Sequence, residues 1–302
     1  KFTIFARMKI EIKEISHPIF NGKEVRLFIK RIDKLHPFVS GNKFFKLKYN
    51  LLDCEKQGQN TLLTFGGAYS NHIAATSFIA QSKGLKSIGI IRGEECLPLN
   101  PTLRFAFENG MRLHYVSRSS YKEKTNANFL EALKNQFGDF YLIPEGGTNE
   151  LAIQGSAEIL DFNDSQDYIC CAVGTGGTIA GIINSSNAKQ TVIGFPAIKG
   201  FEQLDRDINN WTNSTNYKLI NDYVGSGYAK INNELVAFIN EFNAIHNVPL
   251  DAIYTGKMMM GIFDLVAKDY FPKGSSILAI HSGGLQANQG MTERLGVSLP
   301  LE

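Results

Sequence analysis

The strongest constraint in this chain is a repeating order: a short apolar strand, a glycine-bearing turn, then a helix with one apolar face. Thr61 to Phe65 reads as such a strand, Gly66-Gly67-Ala68-Tyr69-Ser70-Asn71-His72 as its turn, and Ile73 to Lys83, closed by Gly84, as its helix. Strands at Lys86 to Ile91, Met111 to Val116 and Phe140 to Ile143 continue the order, with helices at Thr102 to Glu108 and Asn126 to Phe137. A hinge-like Pro144-Glu145-Gly146-Gly147-Thr148-Asn149 and the helix Leu151 to Phe162 come next. A second series then begins with the strand Asp167 to Val173, the turn Gly174-Thr175-Gly176-Gly177-Thr178 and the helix Ile179 to Asn184. It runs on through strands Val192 to Pro196, Tyr217 to Ile220 and Ser276 to His281, and helices Glu202 to Trp211, Asn233 to His246 and Gly256 to Tyr270. Earlier in the chain, Val25 to Lys30 alternates as a strand, and a helix starts just past Lys43 and stops near Gly58. Parallel strands need a crossover between them, usually a helix, so the order specifies an α/β chain with parallel sheets covered by helices.

A chain of 302 residues with 43% hydrophobic content can hold two domains or one large α/β unit. Its 31 basic and 29 acidic residues are spread along the chain with a net charge of +2, which disfavours a nucleic-acid role. No apolar run approaches membrane-spanning length, so a soluble protein of the cytoplasm is expected, with Met8 as a candidate natural start. Of the four cysteines, Cys54 falls on a helix, Cys96 in a loop, and Cys170 and Cys171 side by side in a strand. Neither they nor the six histidines show metal-ligand spacing, so reduced, buried thiols are expected and no metal.

Two of the turns and one lysine suggest chemistry. Gly174 to Thr178 follows a strand and opens a helix, so its free amides, two threonine hydroxyls and the helix dipole make a cradle for one phosphate. The spacing is neither the dinucleotide fingerprint nor a triphosphate loop. A side chain at Gly176 is expected to block the approach of the amides. In Gly66 to His72, the Ser70 hydroxyl, the Asn71 amide and the His72 side chain stand as donors at a helix N-terminus and suit a carboxylate. In Ser40-Gly41-Asn42-Lys43-Phe44-Phe45-Lys46-Leu47-Lys48, the Gly-Asn turn can hold Lys43 inward, whereas Lys46 and Lys48 lie within an amphipathic helix and read as solvated. A free lysine, with a pKa of about 10.4, is a poor nucleophile until it is desolvated or forms an imine with an aldehyde. Lysine, phosphate cradle and carboxylate seat together suggest pyridoxal phosphate acting on a small amino acid.

The motifs Ser-Gly-Asn-Lys-Phe-Phe-Lys-Leu-Lys-Tyr, Gly-Gly-Ala-Tyr-Ser-Asn-His, Gly-Thr-Gly-Gly-Thr-Ile-Ala-Gly, Tyr-Thr-Gly-Lys-Met-Met-Met-Gly and His-Ser-Gly-Gly run in order from about Lys30 to Gly284. In them the chain resembles the 1-aminocyclopropane-1-carboxylate deaminase and D-cysteine desulfhydrase family. The resemblance implies a two-domain, three-layer α/β architecture of the tryptophan-synthase-β-like type (fold type II of the pyridoxal-phosphate enzymes). A smaller domain of residues 46–149 is inserted into a larger one made of 1–45 and 150–302, and a homodimer is the expected assembly. It further implies that Lys43 is the Schiff-base lysine, that Asn71 lies beside the cofactor phenolate, and that Gly174, Thr175, Gly176, Gly177 and Thr178 hold the phosphate. Ser70, Asn71 and His72 match the stretch that binds the substrate carboxylate, and Tyr228 and Tyr254 match two active-site tyrosines.

The chain departs from the family pattern at several places. Phe44-Phe45 replaces Thr-Arg after the lysine, and Ser40 replaces Gly before Gly41. Thr255 and Ser282 stand where deaminases of the family carry Glu and Leu. Hydroxyls from Thr255 and Ser282 facing the pyridine nitrogen would leave the ring a weaker electron sink. A reaction that expels a good β leaving group asks less of the sink, so D-cysteine desulfhydrase chemistry is the first expectation and 1-aminocyclopropane-1-carboxylate deamination the second. A non-catalytic binder of the cofactor or of a carboxylate is the alternative from another class.

Overall fold

The computed structural model describes residues 9–198, 200–225, 227 and 230–301. In chain order the elements are β1 (Ile12–Ile15), α1 (Pro18–Lys23), β2 (Arg26–Lys30), α2 (Asn42–Lys56), β3 (Thr61–Gly66), α3 (Asn71–Ser82), β4 (Lys86–Arg92) and α4 (Pro101–Glu108). There follow β5 (Met111–Val116), α5 (Arg118–Lys122), α6 (Ala127–Phe137), β6 (Tyr141–Ile143), α7 (Glu150–Ser156), β7 (Tyr168–Val173) and α8 (Gly177–Ser185). The chain ends with β8 (Thr191–Pro196), α9 (Phe201–Asn209), β9 (Tyr217–Leu219), α10 (Asn233–His246), α11 (Thr255–Ala267), β10 (Ser276–Ile280) and α12 (Gln286–Leu295). The strand–helix order expected from the sequence is present. The expected helix from Leu151 to Phe162 stops at Ser156, where Gly155 and Ser156 are weak helix formers, and passes into a short 3-10 turn. β1, α1, α5 and α12 are additional to the sequence reading. α12 buries Ala287, Asn288, Gly290 and Met291, and so few large apolar side chains leave little periodic signal.

The strands form two sheets. A six-stranded sheet runs β1-β2-β10-β7-β8-β9, parallel throughout except for the antiparallel edge strand β1. A four-stranded, wholly parallel sheet runs β5-β4-β3-β6. The smaller sheet is drawn from one continuous stretch, and the larger takes its strands from both sides of it. Helix α2 lies at the seam: Phe44, Leu47 and Leu51 share one core with Ile169, Cys171 and Leu278 of the larger sheet and with Leu62 and Ile143 of the smaller. Phe44 and Phe45 are both buried, with ring centroids 5.5 Å apart, edge to face.

Both faces of the central strands are covered, which explains their unbroken apolar runs. Along β7, Ile169, Cys171 and Val173 enter one core while Cys170 and Ala172 enter the other. Adjacent Cys170 and Cys171 therefore point to opposite faces. Burial pushes the Cys171 thiol up to about 12 and the Cys170 thiol well above its ordinary value, so both stay protonated and inert. Cys54 is also buried, but Cys96 is exposed, contrary to the expectation for all four.

One buried charge pair ties the two ends of the larger sheet's central strands. Lys30, the last residue of β2, is buried, its amine 3.2 Å from Asp161 and hydrogen-bonded to the equally buried Asp164 in the turn before β7. Asp164 Oδ2 also accepts from the Asp161 amide at 2.8 Å. Removing one partner strands the other charge away from water, a loss of about 3–5 kcal/mol. Lys30→Met is expected to lower stability by that amount in denaturant titrations, and Lys30→Met combined with Asp164→Leu by distinctly less. Equal losses in the single and double variants would show that the pair is not what matters there.

Candidate active site

Parallel strands direct the loops at their carboxyl ends to one edge, where ligands bind in open α/β sheets. Here the loops after β3, β4, β6, β7, β8 and β10, with the start of α2, line one cavity of about 400 Å³. Lys43, Ser70, Asn71, His72, Gly174, Thr175, Gly176, Thr178, Tyr254 and Ser282 all line it.

Lys43 reaches the cavity from a turn that only glycine can make. Gly41 has φ +62°, and a Cβ on it would stand 1.9 Å from the Ser282 carbonyl oxygen. The Gly41 amide donates to Ile32 O at 3.1 Å and the Asn42 amide to Ser282 O at 3.2 Å, which fixes the first turn of α2 against the end of β10. The Lys43 amine, half-buried, donates to Gly146 O at 3.1 Å, and burial pushes its pKa down to about 8.

Lys46, expected in solvent, is instead buried, one turn along α2 on the same face as Lys43. Its amine donates to Thr148 Oγ1 at 2.7 Å, and Thr148 Oγ1 lies 2.5 Å from Thr175 Oγ1 in the glycine turn. A Cβ on Gly177 would sit 3.3 Å from that amine. Burial first, then the Lys43 charge, pushes the Lys46 pKa well below its ordinary value. Lys46 thus adds an amine to the cradle of Gly174 to Thr178, one that a bound phosphate would hold in its charged form. The i, i+3 spacing from Lys43 could have revealed it; the apolar neighbours hid it. Lys48 matches expectation, outside the cavity and paired with Glu158.

At the cradle, α8 begins at Gly177 after Gly176 at φ +85°, and the Asn42 amide group donates to Thr178 Oγ1 at 2.8 Å. A Cβ on Gly176 would point at α9, 3.2 Å from Ile208 and 3.4 Å from Leu204. Gly176 is therefore required by its backbone conformation and by packing on α9, not to clear a path to the amides as the sequence suggested.

Ser70 caps α3 by accepting from the Ile73 amide at 3.3 Å, which leaves the first amides of the helix facing the cavity. Asn71 Oδ1 and His72 Nδ1 are buried without a hydrogen-bond partner among the described residues. The Thr64 hydroxyl donates its one proton to Ile143 O at 2.8 Å, so its 2.8 Å contact with His72 Nε2 requires the proton on that nitrogen. Nδ1 is then an acceptor. Burial, with Lys43 and Lys46 nearby, pushes the His72 pKa well below its ordinary value and keeps the ring neutral. The His72 side chain thus cannot donate to a carboxylate from Nδ1, and donation at this position falls to the backbone amides.

Of the two hydroxyls expected at the pyridine nitrogen, only Ser282 lines the cavity. Thr255 is fully buried, and its hydroxyl donates to Asp251 Oδ2 at 2.6 Å while accepting from the Asp251 amide at 2.9 Å. It is a structural group of the α11 start, which corrects the sequence expectation. Tyr254 lines the wall beside Gly174, where a Cβ would be 3.5 Å from its hydroxyl. Tyr228 lies outside the described residues. Among the described residues, no cluster of three His, Cys, Asp or Glu side chains could hold a metal ion, and no helix is long and apolar enough to cross a membrane.

A half-buried lysine of lowered pKa, an amide cradle with an added amine, and two orphaned polar atoms fit pyridoxal phosphate. Lys43 can bond the aldehyde, Lys46 and Gly174 to Thr178 can hold the phosphate, and Asn71 and Ser282 can meet the ring. Comparison with known proteins agrees. The family described as pyridoxal-phosphate dependent enzyme matches residues 14–283. A Pyrococcus abyssi protein, provisionally named a 1-aminocyclopropane-1-carboxylate deaminase, is 32% identical over 282 residues, covering 86% of this chain and 85% of its own. A mitochondrial Arabidopsis thaliana protein named bifunctional D-cysteine desulfhydrase/1-aminocyclopropane-1-carboxylate deaminase is 31% identical, covering 88% of this chain and 73% of its own. The crystal structure of an "ACC deaminase homologue" superposes with a TM-score of 0.84 at 27% identity, covering 96% of this chain and 94% of that one.

Two outcomes test the lysines. A lysine held near 8 is protonated and unreactive below that pH and free above it, so attachment of pyridoxal phosphate to the apoprotein should accelerate through a midpoint near pH 8. The adduct, fixed by borohydride, should map to Lys43; a midpoint above pH 10, or a label on Lys46, contradicts the assignment. A charge-assisted hydrogen bond contributes about 1.5–3 kcal/mol, so Lys46→Met should weaken binding of pyridoxal phosphate by about tenfold or more. Binding of unphosphorylated pyridoxal should be unchanged, and an equal loss for both would detach Lys46 from the phosphate.

Proposed function

Because the chain belongs to the pyridoxal-phosphate dependent enzymes, with relatives in the deaminase and desulfhydrase group, we propose that it eliminates a β-substituent and ammonia from a small amino acid, with D-cysteine as the model substrate. The cofactor, when bound, supplies an electron-withdrawing ring that stabilises negative charge at the substrate α-carbon. The observation that carries the choice of reaction is the charge of the lining. Glu145 is the only acidic side chain that lines the cavity among the described residues, and it is held by the Tyr121 hydroxyl at 2.9 Å and the Lys124 amine at 3.4 Å. Asp251 is spent on the amides of Ile253, Tyr254 and Thr255. The ring nitrogen therefore has the Ser282 hydroxyl available and no carboxylate, a setting that favours substrates with a good leaving group over opening of a cyclopropane.

Lys43 would take the α proton; with a pKa of about 8 its amine is free in an appreciable fraction near neutral pH. The α3 amides and the Ser70 hydroxyl bind the carboxylate, and the Asn71 amide meets the cofactor phenolate. The Tyr254 phenol gives its proton to the leaving sulfur. From D-cysteine and water the products are pyruvate, ammonia and hydrogen sulfide. The second reading, deamination of 1-aminocyclopropane-1-carboxylate to 2-oxobutyrate and ammonia, is favoured by the names of the Pyrococcus and Arabidopsis relatives.

The deciding experiment measures 2-oxo acid release from D-cysteine, L-cysteine, β-chloro-D-alanine and 1-aminocyclopropane-1-carboxylate in parallel. We expect pyruvate from the D β-substituted substrates at rates well above 2-oxobutyrate formation. Faster turnover of the cyclopropane substrate overturns the elimination reading, and faster turnover of L-cysteine overturns the handedness alone.

A further inference from the structure

The cavity holds one cation more than the cofactor and a plain amino acid can use. The phosphate has the α8 amides and Lys46, and the α-carboxylate has the α3 amides and Ser70. Arg92, the last residue of β4, lines the same cavity and is left over. Its guanidinium makes no hydrogen bond or ion pair among the described residues and lies 5.7 Å from the centre of the Tyr121 ring. The acid across from it, Glu145, is already held by Tyr121 and Lys124. Gly67 leaves the near side open, since even a Cβ there would stand 3.6 Å from Nη2 of Arg92.

We propose that Arg92 forms a subsite for a second negative charge, on the side chain of the substrate, so that the enzyme prefers amino acids whose β-carbon carries an anionic group such as a carboxylate, sulfate or sulfonate. The inference rests on the amino-acid reading of the site but not on the elimination chemistry. The geometry suits it in three ways. Arginine presents a planar fork of donors that matches an oxyanion with two oxygens. The Tyr121 ring, 5.7 Å away, adds a cation–π attraction that favours the guanidinium on that side of the cavity. Arg92 sits one strand over from the loop that carries Ser70 and Asn71, so a ligand whose α-carboxylate is at the α3 amides extends its side chain within the same cavity.

Calorimetric titration of the cofactor-loaded enzyme with aspartate and alanine, each in both hands, reads the subsite without turnover. Aspartate of the accepted hand should bind about tenfold more tightly than the matching alanine, the size expected of a partly exposed charged pair. Arg92→Met should abolish that preference and leave alanine binding unchanged, while Arg92→Lys keeps part of it. Three results would overturn the proposal: aspartate binding no tighter than alanine, a preference that survives Arg92→Met, or equal weakening of both ligands. The last would assign Arg92 to the α-carboxylate. Pyruvate release from serine O-sulfate and β-chloroalanine, run beside it, tests elimination separately. An aspartate preference with no pyruvate from either would retain the subsite and reject the elimination chemistry.

Discussion

The contact on which the site depends is the approach of Gly41 to the backbone of Ser282 and Gly283. No other residue fits, because a Cβ would lie within 1.9–2.6 Å of three backbone atoms. The contact joins the loop after β2 to the loop after β10, and the Asn42 side chain carries the connection to Thr178, past the end of β7. Three neighbouring strands thus have their carboxyl ends tied by one two-residue turn, and Lys43 leaves that turn in a single direction. Its burial, its lowered pKa and its distance from the phosphate cradle all follow from where the turn is pinned. Ser282 is positioned by the same contact, so Lys43 and Ser282 cannot shift independently.

The second constraint is electrostatic. Burial makes both Lys43 and Lys46, a helical turn apart, lose protons more readily, and the Lys43 charge adds to the effect at Lys46. The histidine beside them stays neutral for the same causes. Among the described residues, no free carboxylate lining the cavity relieves this arrangement. Folding therefore carries a standing cost at the site that an anionic ligand removes, which is how a protein can bind a phosphate tightly with few direct contacts. The orphaned Asn71 Oδ1 and His72 Nδ1 belong to the same unrelieved state.

Much of this was legible in the sequence, for identifiable reasons. Strands buried on both faces are written as continuous apolar runs, and the glycine turns that follow them fall at the strand ends that face the cavity, so the alternation located both the sheets and the cradle. What escaped was whatever depended on contacts distant in sequence. Lys46 sits among Phe44, Phe45 and Leu47 in a pattern that suits a solvated face, and only the approach of Thr148, 102 residues away, shows that this face is enclosed. Gly176 looked like a gap made for a phosphate because nothing local announces that α9 packs behind it. Arg92 drew no notice at the end of an ordinary strand. The β1 and α12 segments carry too few apolar side chains to be recognised without the neighbours they pack on.

Thr255 shows most plainly how sequence adjacency misleads. It follows Tyr254, which does line the cavity, yet the turn that leads into α11 sends these consecutive side chains to different sides. The turn is set by Asp251, whose buried carboxylate accepts from the amides of Ile253 at 2.9 Å, Tyr254 at 2.7 Å and Thr255 at 2.8 Å, and from the Thr255 hydroxyl at 2.6 Å. The carboxylate satisfies the Thr255 amide and the Asp251 carbonyl that of Gly256, the first two of α11, and its negative charge offsets the positive end of the helix. With its backbone held in this turn, Tyr254 faces Gly174 and the cavity. The hydroxyl of Thr255 thus belongs to the turn that carries Tyr254, and the Asp251 carboxylate is consumed in building that wall of the cavity.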